Sequence, residues 1–234
     1  MNSEINFETY ILITKEKFAI SAIHDTSYET IYFEQQFITD NKNNLNFEIF
    51  NEFLEKNIFK IEKILKNFVK NIYIILDSDE FFPIRLSIKK SNNGNYIDPN
   101  VLSYPLNDLK NTCQSNFNDK KIIHILIENY SIDDKNYFSL PKNLKCNFFS
   151  LDVRFICLPK NFVGEIEQAL KKYHILVNQI FCANYIERFI EQKNPNIFTT
   201  ASRIKSGLNE NEVLLVRKTL KNKGFFEKFF DFFN

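Results

Sequence analysis

The sequence predicts a mixed α/β (α+β) protein. The first observation is a series of apolar runs too short for helices: Tyr10–Ile13, Lys17–Ile23, Ile31–Ile38, Ile72–Leu76, Ile122–Ile127, Leu151–Leu158 and Ile175–Ile180. Four to eight residues, rich in Ile, Val, Phe and Tyr and bounded by polar residues, read as strands. The second is a pair of longer stretches whose apolar residues recur every three or four positions, the helical period. The third is composition. Hydrophobic residues make up 44% of the 234 positions and charged residues 25%, which excludes wholesale disorder. No run approaches the roughly 20 apolar residues of a spanning helix.

Taken in order, Tyr10–Ile13 and Lys17–Ile23 form a hairpin about the turn Thr14-Lys15-Glu16, and Ile31–Ile38 is a third strand. Asp40–Asn46 is a polar loop. Phe47–Val69 is a helix, with Phe47, Phe50, Leu54, Ile58, Ile61, Leu65 and Phe68 on its buried stripe. The buried strand Ile72–Leu76 follows, then a strand at Arg85–Lys89 and a polar loop, Ser91–Pro99, containing Gly94. Ile122–Ile127 and Leu151–Leu158 flank a polar, proline-containing stretch, Tyr130–Asn147. Pro159-Lys160-Asn161 ends a strand and opens a helix, with Asn161 as its cap and Val163, Ile166, Ala169, Leu170 and Tyr173 as its stripe. Ile175–Ile180 is a strand and Ala183–Ile190 is helical. No repeat of solenoid period is present.

Charge and cysteine usage narrow the function classes. Lys+Arg 30 against Asp+Glu 29 leaves a net charge of +1, so no global field favours nucleic acid. The chain has 26 Phe, no Trp, one Met and 4 Gly. The excess of Phe, Ile, Lys, Asn and Tyr is what an AT-rich genome produces, whereas the shortage of glycine leaves little from which to build a phosphate-binding loop. Cys113, Cys146, Cys157 and Cys182 form no C-x-x-C pair, so neither a zinc site nor a disulfide framework is expected; they read as buried, reduced thiols. The N-terminal MNSEINFETY lacks the basic-then-apolar pattern of a signal peptide, and the cytoplasm is the expected compartment.

Three further groups carry weaker signals. Asp77-Ser78-Asp79-Glu80 is an acidic cluster after a strand, where α/β enzymes place catalytic or metal-binding carboxylates; without a second cluster it reads as a solvated turn. His24, His124 and His174 are scattered, and His124, inside an apolar strand, reads as a packed histidine. Ser103, His124 and Asp152 supply triad chemistry on paper, with nothing to single them out. No catalytic, cofactor-binding or metal-ligating residue is assigned.

The end of the chain differs from the rest. Residues 208–223 are polar and basic and read as a linker. Residues 224–234 are GFFEKFFDFFN. On a helix, Phe225, Phe226, Phe229, Phe230, Phe232 and Phe233 fall within an arc of roughly 160°, opposite Glu227, Lys228 and Asp231. Burial of each ring is worth about 2 kcal/mol or more, so something must cover them. The helix is too short to span a bilayer and suits its interface, with Lys221 and Lys223 beside anionic lipid. Docking on the protein's own core and insertion into a partner's groove are the competing readings.

With these elements laid out, the chain resembles the cell-division protein FtsA family, actin-like membrane tethers. Lys121–Ile132 (KIIHILIENYSI) with Asp133, then Leu151–Leu158 (LDVRFICL), Val163–Tyr173 and Ile175–Ile180 (ILVNQI) resemble that family's SHS2-type subdomain 1C and its return to subdomain 1A. Tyr10–Ile23 stands where actin-like proteins have their first hairpin, and Asn194–Ala201 (NPNIFTTA) resembles the opening of the last 1A helix. The resemblance implies half of an actin-like (ribonuclease H-like) fold with an inserted SHS2-type subdomain and a C-terminal amphipathic helix. Its divisions would be 1–88 with 177–207 (1A-like), 89–176 (SHS2/1C-like), 208–223 (linker) and 224–234 (membrane-targeting helix). The family's second large domain, with its second phosphate loop, adenosine pocket and FtsZ-binding surface, has no counterpart between Ala183–Ile190 and Asn194–Ala201. The hairpin turn also lacks the family's Gly-Thr. The resemblance therefore implies a non-catalytic division adaptor without a nucleotide cofactor, peripheral on the cytoplasmic face of the inner membrane. Its partners would be division proteins, an anionic membrane and another copy of itself, with no nucleic acid. A PilM-like pilus-assembly module and an actin-like ATPase with a cryptic site are the alternatives.

Overall fold

The computed structural model describes residues 6–38, 45–192 and 195–214. It divides into two units: 6–80 with Asn161–Ile204, and Phe81–Lys160 with 205–214. The units divide at 80/81, 160/161 and 204/205, whereas the sequence reading sets its divisions at 88/89, 176/177 and 207/208.

The first unit is built on a five-stranded sheet. Its strands are β1 (Phe7–Ile13), β2 (Lys17–His24), β3 (Thr30–Phe37), β4 (Asn71–Leu76) and β9 (Leu176–Cys182), in the order β3-β2-β1-β4-β9. β1–β2 and β2–β3 are antiparallel; β1–β4 and β4–β9 are parallel. Parallel neighbours need crossovers. Helix α1 (Phe47–Leu65) lies on the connection that brings the chain from β3 back to β4 beside β1, and α3 (Lys160–Lys171) precedes β9.

α1 begins where Asn46 Oδ1 accepts from the Glu48 and Ile49 N–H groups at 3.1 and 3.3 Å. Its stripe of Phe50, Phe53, Leu54, Ile58, Ile61 and Leu65 is buried. Phe18 of β2 meets Phe50 edge to face at 5.2 Å, and the Tyr173 hydroxyl, just past α3, donates to the Asn51 carbonyl. On the sheet's other face, Ser202 of α5 (Ile197–Lys205) donates to Glu8, and Phe198 packs on Phe33. Asn196 Oδ1 caps that helix by accepting from the Phe198 and Thr199 N–H groups. α1 ends four residues earlier than expected. Lys66 is left-handed at φ 52°, so Phe68 leaves the buried stripe and is 73% exposed.

The second unit has the antiparallel order β5-β8-β6-β7, with β5 (Phe82–Tyr96), β6 (Lys120–Ile132), β7 (Lys135–Tyr137) and β8 (Lys145–Pro159). Helix α2 (Pro99–Asn116) packs on one face through Leu102, Leu106, Leu109 and Cys113, against Leu151, Val153 and Phe155 of β8. β6 and β7 join through Asp133 and Asp134, both at positive φ, the pattern of a two-residue hairpin turn.

Four expectations need correction here. Ser91–Pro99 is not a loop: β5 runs through it to Tyr96, with a register shift between Ser91 and Asn95 that absorbs Asn93 and Gly94, both at positive φ. α2 is an unanticipated helix whose interior Pro105 sits buried, while Asp98 caps it by accepting from the Val101 N–H at 3.0 Å. Asn161 lies inside α3 rather than capping it. The segment from Leu208 is not free linker at its start: Glu212 bridges Leu126 of β6, and the Val213 N–H donates to the Ile125 carbonyl at 2.9 Å. Ala183–Ile190 resolves into α4 (Ala183–Ile186) and a 3-10 turn, Glu187–Phe189.

Candidate functional site

A cavity of about 370 Å³ opens in the first unit where β1 and β4 end. Parallel pairing brings those ends together: Ile13 lies opposite Leu76, and the Asp77 N–H donates to the Ile13 carbonyl at 2.8 Å. The hairpin turn therefore faces the acidic cluster. Lys15 pairs with Asp79, a contact between two segments that the sequence reading considers separately. Asn46 and Phe47 at the start of α1 and Glu165 of α3 complete the wall.

The electrostatics of this cavity are one-sided. Among the described residues of its lining, Asp77, Asp79, Glu80 and Glu165 face a single basic group, Lys15. The Lys15 ammonium is engaged by Asp79, whose hydrogen bond and charge hold the amine above the usual lysine range. Three of the turn's backbone donors, those of Thr14, Glu16 and Lys17, are also engaged. The Thr14 N–H donates to the Lys17 carbonyl at 3.0 Å, while Thr14 Oγ1 accepts from the Glu16 and Lys17 N–H groups at 3.2 and 3.0 Å. The first free amides of α1 are capped by Asn46. A polyphosphate needs outward-facing N–H groups and excess positive charge; this mouth offers net negative charge and a turn closed on itself.

The scattered residues keep separate places. His124 is buried, with Nδ1 2.7 Å from Glu212 Oε1, as a packed histidine should be. Ser103 Oγ donates to the Asn100 carbonyl, and Asp152 accepts from Ser87 and Asn129, so Ser103, His124 and Asp152 each serve a different local structure. His24 Nδ1 sits against Thr26 and Ser27 in the turn after β2. All four cysteines are free and buried. Burial pushes the Cys157 thiol up to about 12 and raises Cys113 and Cys182, the opposite of an activated thiolate.

Among the described residues no group of His, Cys, Asp and Glu is placed to hold a metal ion, and no helix is long and apolar enough to cross a membrane. Phe225, Phe226, Phe229, Phe230, Phe232, Phe233, Lys221 and Lys223 lie outside the described residues.

No family model and no curated protein matches the sequence. Solved structures do match the fold. A PilM–PilN type IV pilus biogenesis complex aligns at a TM-score of 0.50 and 7% identity, over 81% of this chain and 50% of that one. The cytoplasmic domain of EpsL, an inner-membrane component of the Vibrio cholerae type II secretion system, aligns at 0.40 and 11%, over 77% and 59%. A Bacteroides thetaiotaomicron protein with an actin-like ATPase fold and unknown function aligns at 0.34 and 14%, over 80% and 56%. The chain spans about half the length of these solved chains. At such identities the likeness is one of fold alone.

Proposed function

We propose that this chain is a non-catalytic adaptor: an actin-like scaffold that has lost nucleotide chemistry and works by binding proteins at the cytoplasmic face of the inner membrane. The observation that carries this reading is the Thr14–Lys17 turn, in which the Thr14, Glu16 and Lys17 N–H groups close on Lys17 and Thr14 while the Lys15 ammonium is held by Asp79. An actin-type site would need that turn open to phosphate.

The partner-binding part is the second unit. Its order, β5, α2, β6, β7, β8, is strand-helix-strand-strand-strand, and its first four elements support reading it as an SHS2-type module. With the FtsA resemblance, this favours a role in cell division, through other division proteins or a second copy. FtsZ is reached weakly or not at all by the family's usual surface, which lies in the missing domain. The C-terminal phenylalanine face, Phe225 to Phe233, is the membrane tether.

A second reading is a PilM-like module of pilus assembly, favoured by the structural likeness to the PilM–PilN complex.

A fluorescent fusion of the full chain tests both readings. The division reading expects signal at the cell periphery, concentrated at the division plane, and diffuse signal for Phe229→Glu with Phe230→Glu. Envelope foci away from that plane favour pilus assembly. A wild-type fusion that stays diffuse contradicts the tether in either reading.

A further inference from the structure

The outer face of α1 sets exposed apolar side chains among lysines. Its inner stripe is satisfied by the sheet, yet Phe59 is 76% and Ile64 52% exposed, and Phe68, just past the helix end, 73%. At about 100° per residue, Phe59, Lys63, Lys56, Lys60 and Ile64 occupy one arc of roughly 140°. Lys66 and Lys70 continue the basic series beyond the helix. Glu55 and Glu62 fall outside the arc, Glu62 accepting from the Val69 N–H, and Glu52 shares its direction one turn before Lys56. Glu34 lies 3.8 Å from Lys60. Residues 56–70 therefore hold five lysines against one glutamate.

We propose that this face lies on an anionic bilayer, with Phe59, Ile64 and Phe68 entering the headgroup boundary and the lysines meeting lipid phosphates. Charge complementarity argues for it. So does shape: the apolar residues are set singly among lysines on a convex helix instead of forming one continuous patch. A deformable lipid surface accepts that arrangement, because lysine stems extend to the headgroups while rings insert between them. Stable peripheral binding generally takes two signals. α1 is one, and it does not depend on residues 224–234 supplying the other.

The test uses the full chain and vesicles of phosphatidylcholine with and without phosphatidylglycerol. Reversing Lys56, Lys60 and Lys63 to Glu should weaken binding to the anionic vesicles by about a hundredfold or more, since each lost lysine is worth about fivefold, with little change on neutral ones. The native chain has no tryptophan, so Phe59→Trp is a unique reporter. Its emission should move to the blue on anionic vesicles, also when Phe229 and Phe230 are changed to Glu. These positions are exposed, and an unchanged unfolding midpoint shows the variants folded. Unaltered flotation of the lysine variant, or emission that does not move, overturns the proposal. A blue shift produced by polyglutamate but not by vesicles also overturns it and assigns the face to an acidic protein. If only the Phe229 and Phe230 changes abolish flotation, the tail survives as tether and α1 does not. If only the lysine reversal does, α1 survives and the tail does not.

Discussion

His124 Nδ1 lies 2.7 Å from Glu212 Oε1, and both side chains are buried. The contact spans 88 residues and anchors the chain to β6 as it leaves α5. Around it, the Ile127 N–H donates to the Asn211 carbonyl, and the Tyr130 hydroxyl donates to Asn211 Oδ1. Residues 211–213 thus extend the sheet edge beside β7.

Glu212→Gln tests that anchor. Weakening a buried hydrogen-bonded partner costs about 1–3 kcal/mol, read as a lower urea midpoint. Amide exchange at Ile127 and Val213, whose N–H groups bond across this edge, should quicken more than exchange in the first unit's β1. Equal protection in variant and wild type would show that the segment is held by its backbone alone.

α2 is expected to be the keystone of the second unit's core. Leu102 is fully buried against the sheet, so Leu102→Ala should cost about 2–5 kcal/mol. Asp98→Ala removes the cap and should cost about 1 kcal/mol. Chemical unfolding followed by far-ultraviolet circular dichroism measures both.

Alkali should destabilise the protein in a defined window. Burial pushes the Tyr130 hydroxyl up to about 12, helped by the Glu210 charge, and burial also pushes the Cys157 thiol up to about 12; Tyr10 is raised by burial and by Glu8. The unfolded chain releases these protons from the ordinary values of 10.0 and 9.0, while the folded chain keeps them. Their contribution is whole below about pH 9 and is lost as pH climbs to about 12. Urea midpoints that stay level across this range would contradict the burial of these groups.

The same burial predicts thiol chemistry. At pH 8 iodoacetamide should leave Cys113, Cys146, Cys157 and Cys182 unmodified in the native protein and alkylate all four in guanidinium. Rapid labelling of any one, read by mass spectrometry, would identify an exposed thiolate.

The strands of the first unit were legible because each is a compact Ile-, Phe- and Tyr-rich run, and α1 because its stripe keeps helical spacing. What escaped has physical reasons. In α2, Leu102, Leu106, Leu109 and Cys113 keep that spacing, but Pro105 and the surrounding Asn, Asp and Ser residues masked it. Asn92, Asn93 and Gly94 read as a loop because local propensity does not register a strand held by β8. The Lys15–Asp79 pair joins residues 64 apart through parallel strand pairing, which no local spacing encodes. The anchor at Glu212 likewise exists only because a distant strand offers its edge. His124, by contrast, was legible as a packed residue from the apolar run around it.

Titration of the full chain with ATP and Mg²⁺ by isothermal calorimetry tests the adaptor reading most directly. A turn closed on Thr14 and a cavity mouth of carboxylates predict no saturable heat up to millimolar nucleotide. Saturable micromolar binding, lost in Lys15→Ala, would contradict it and make the cavity a working nucleotide site.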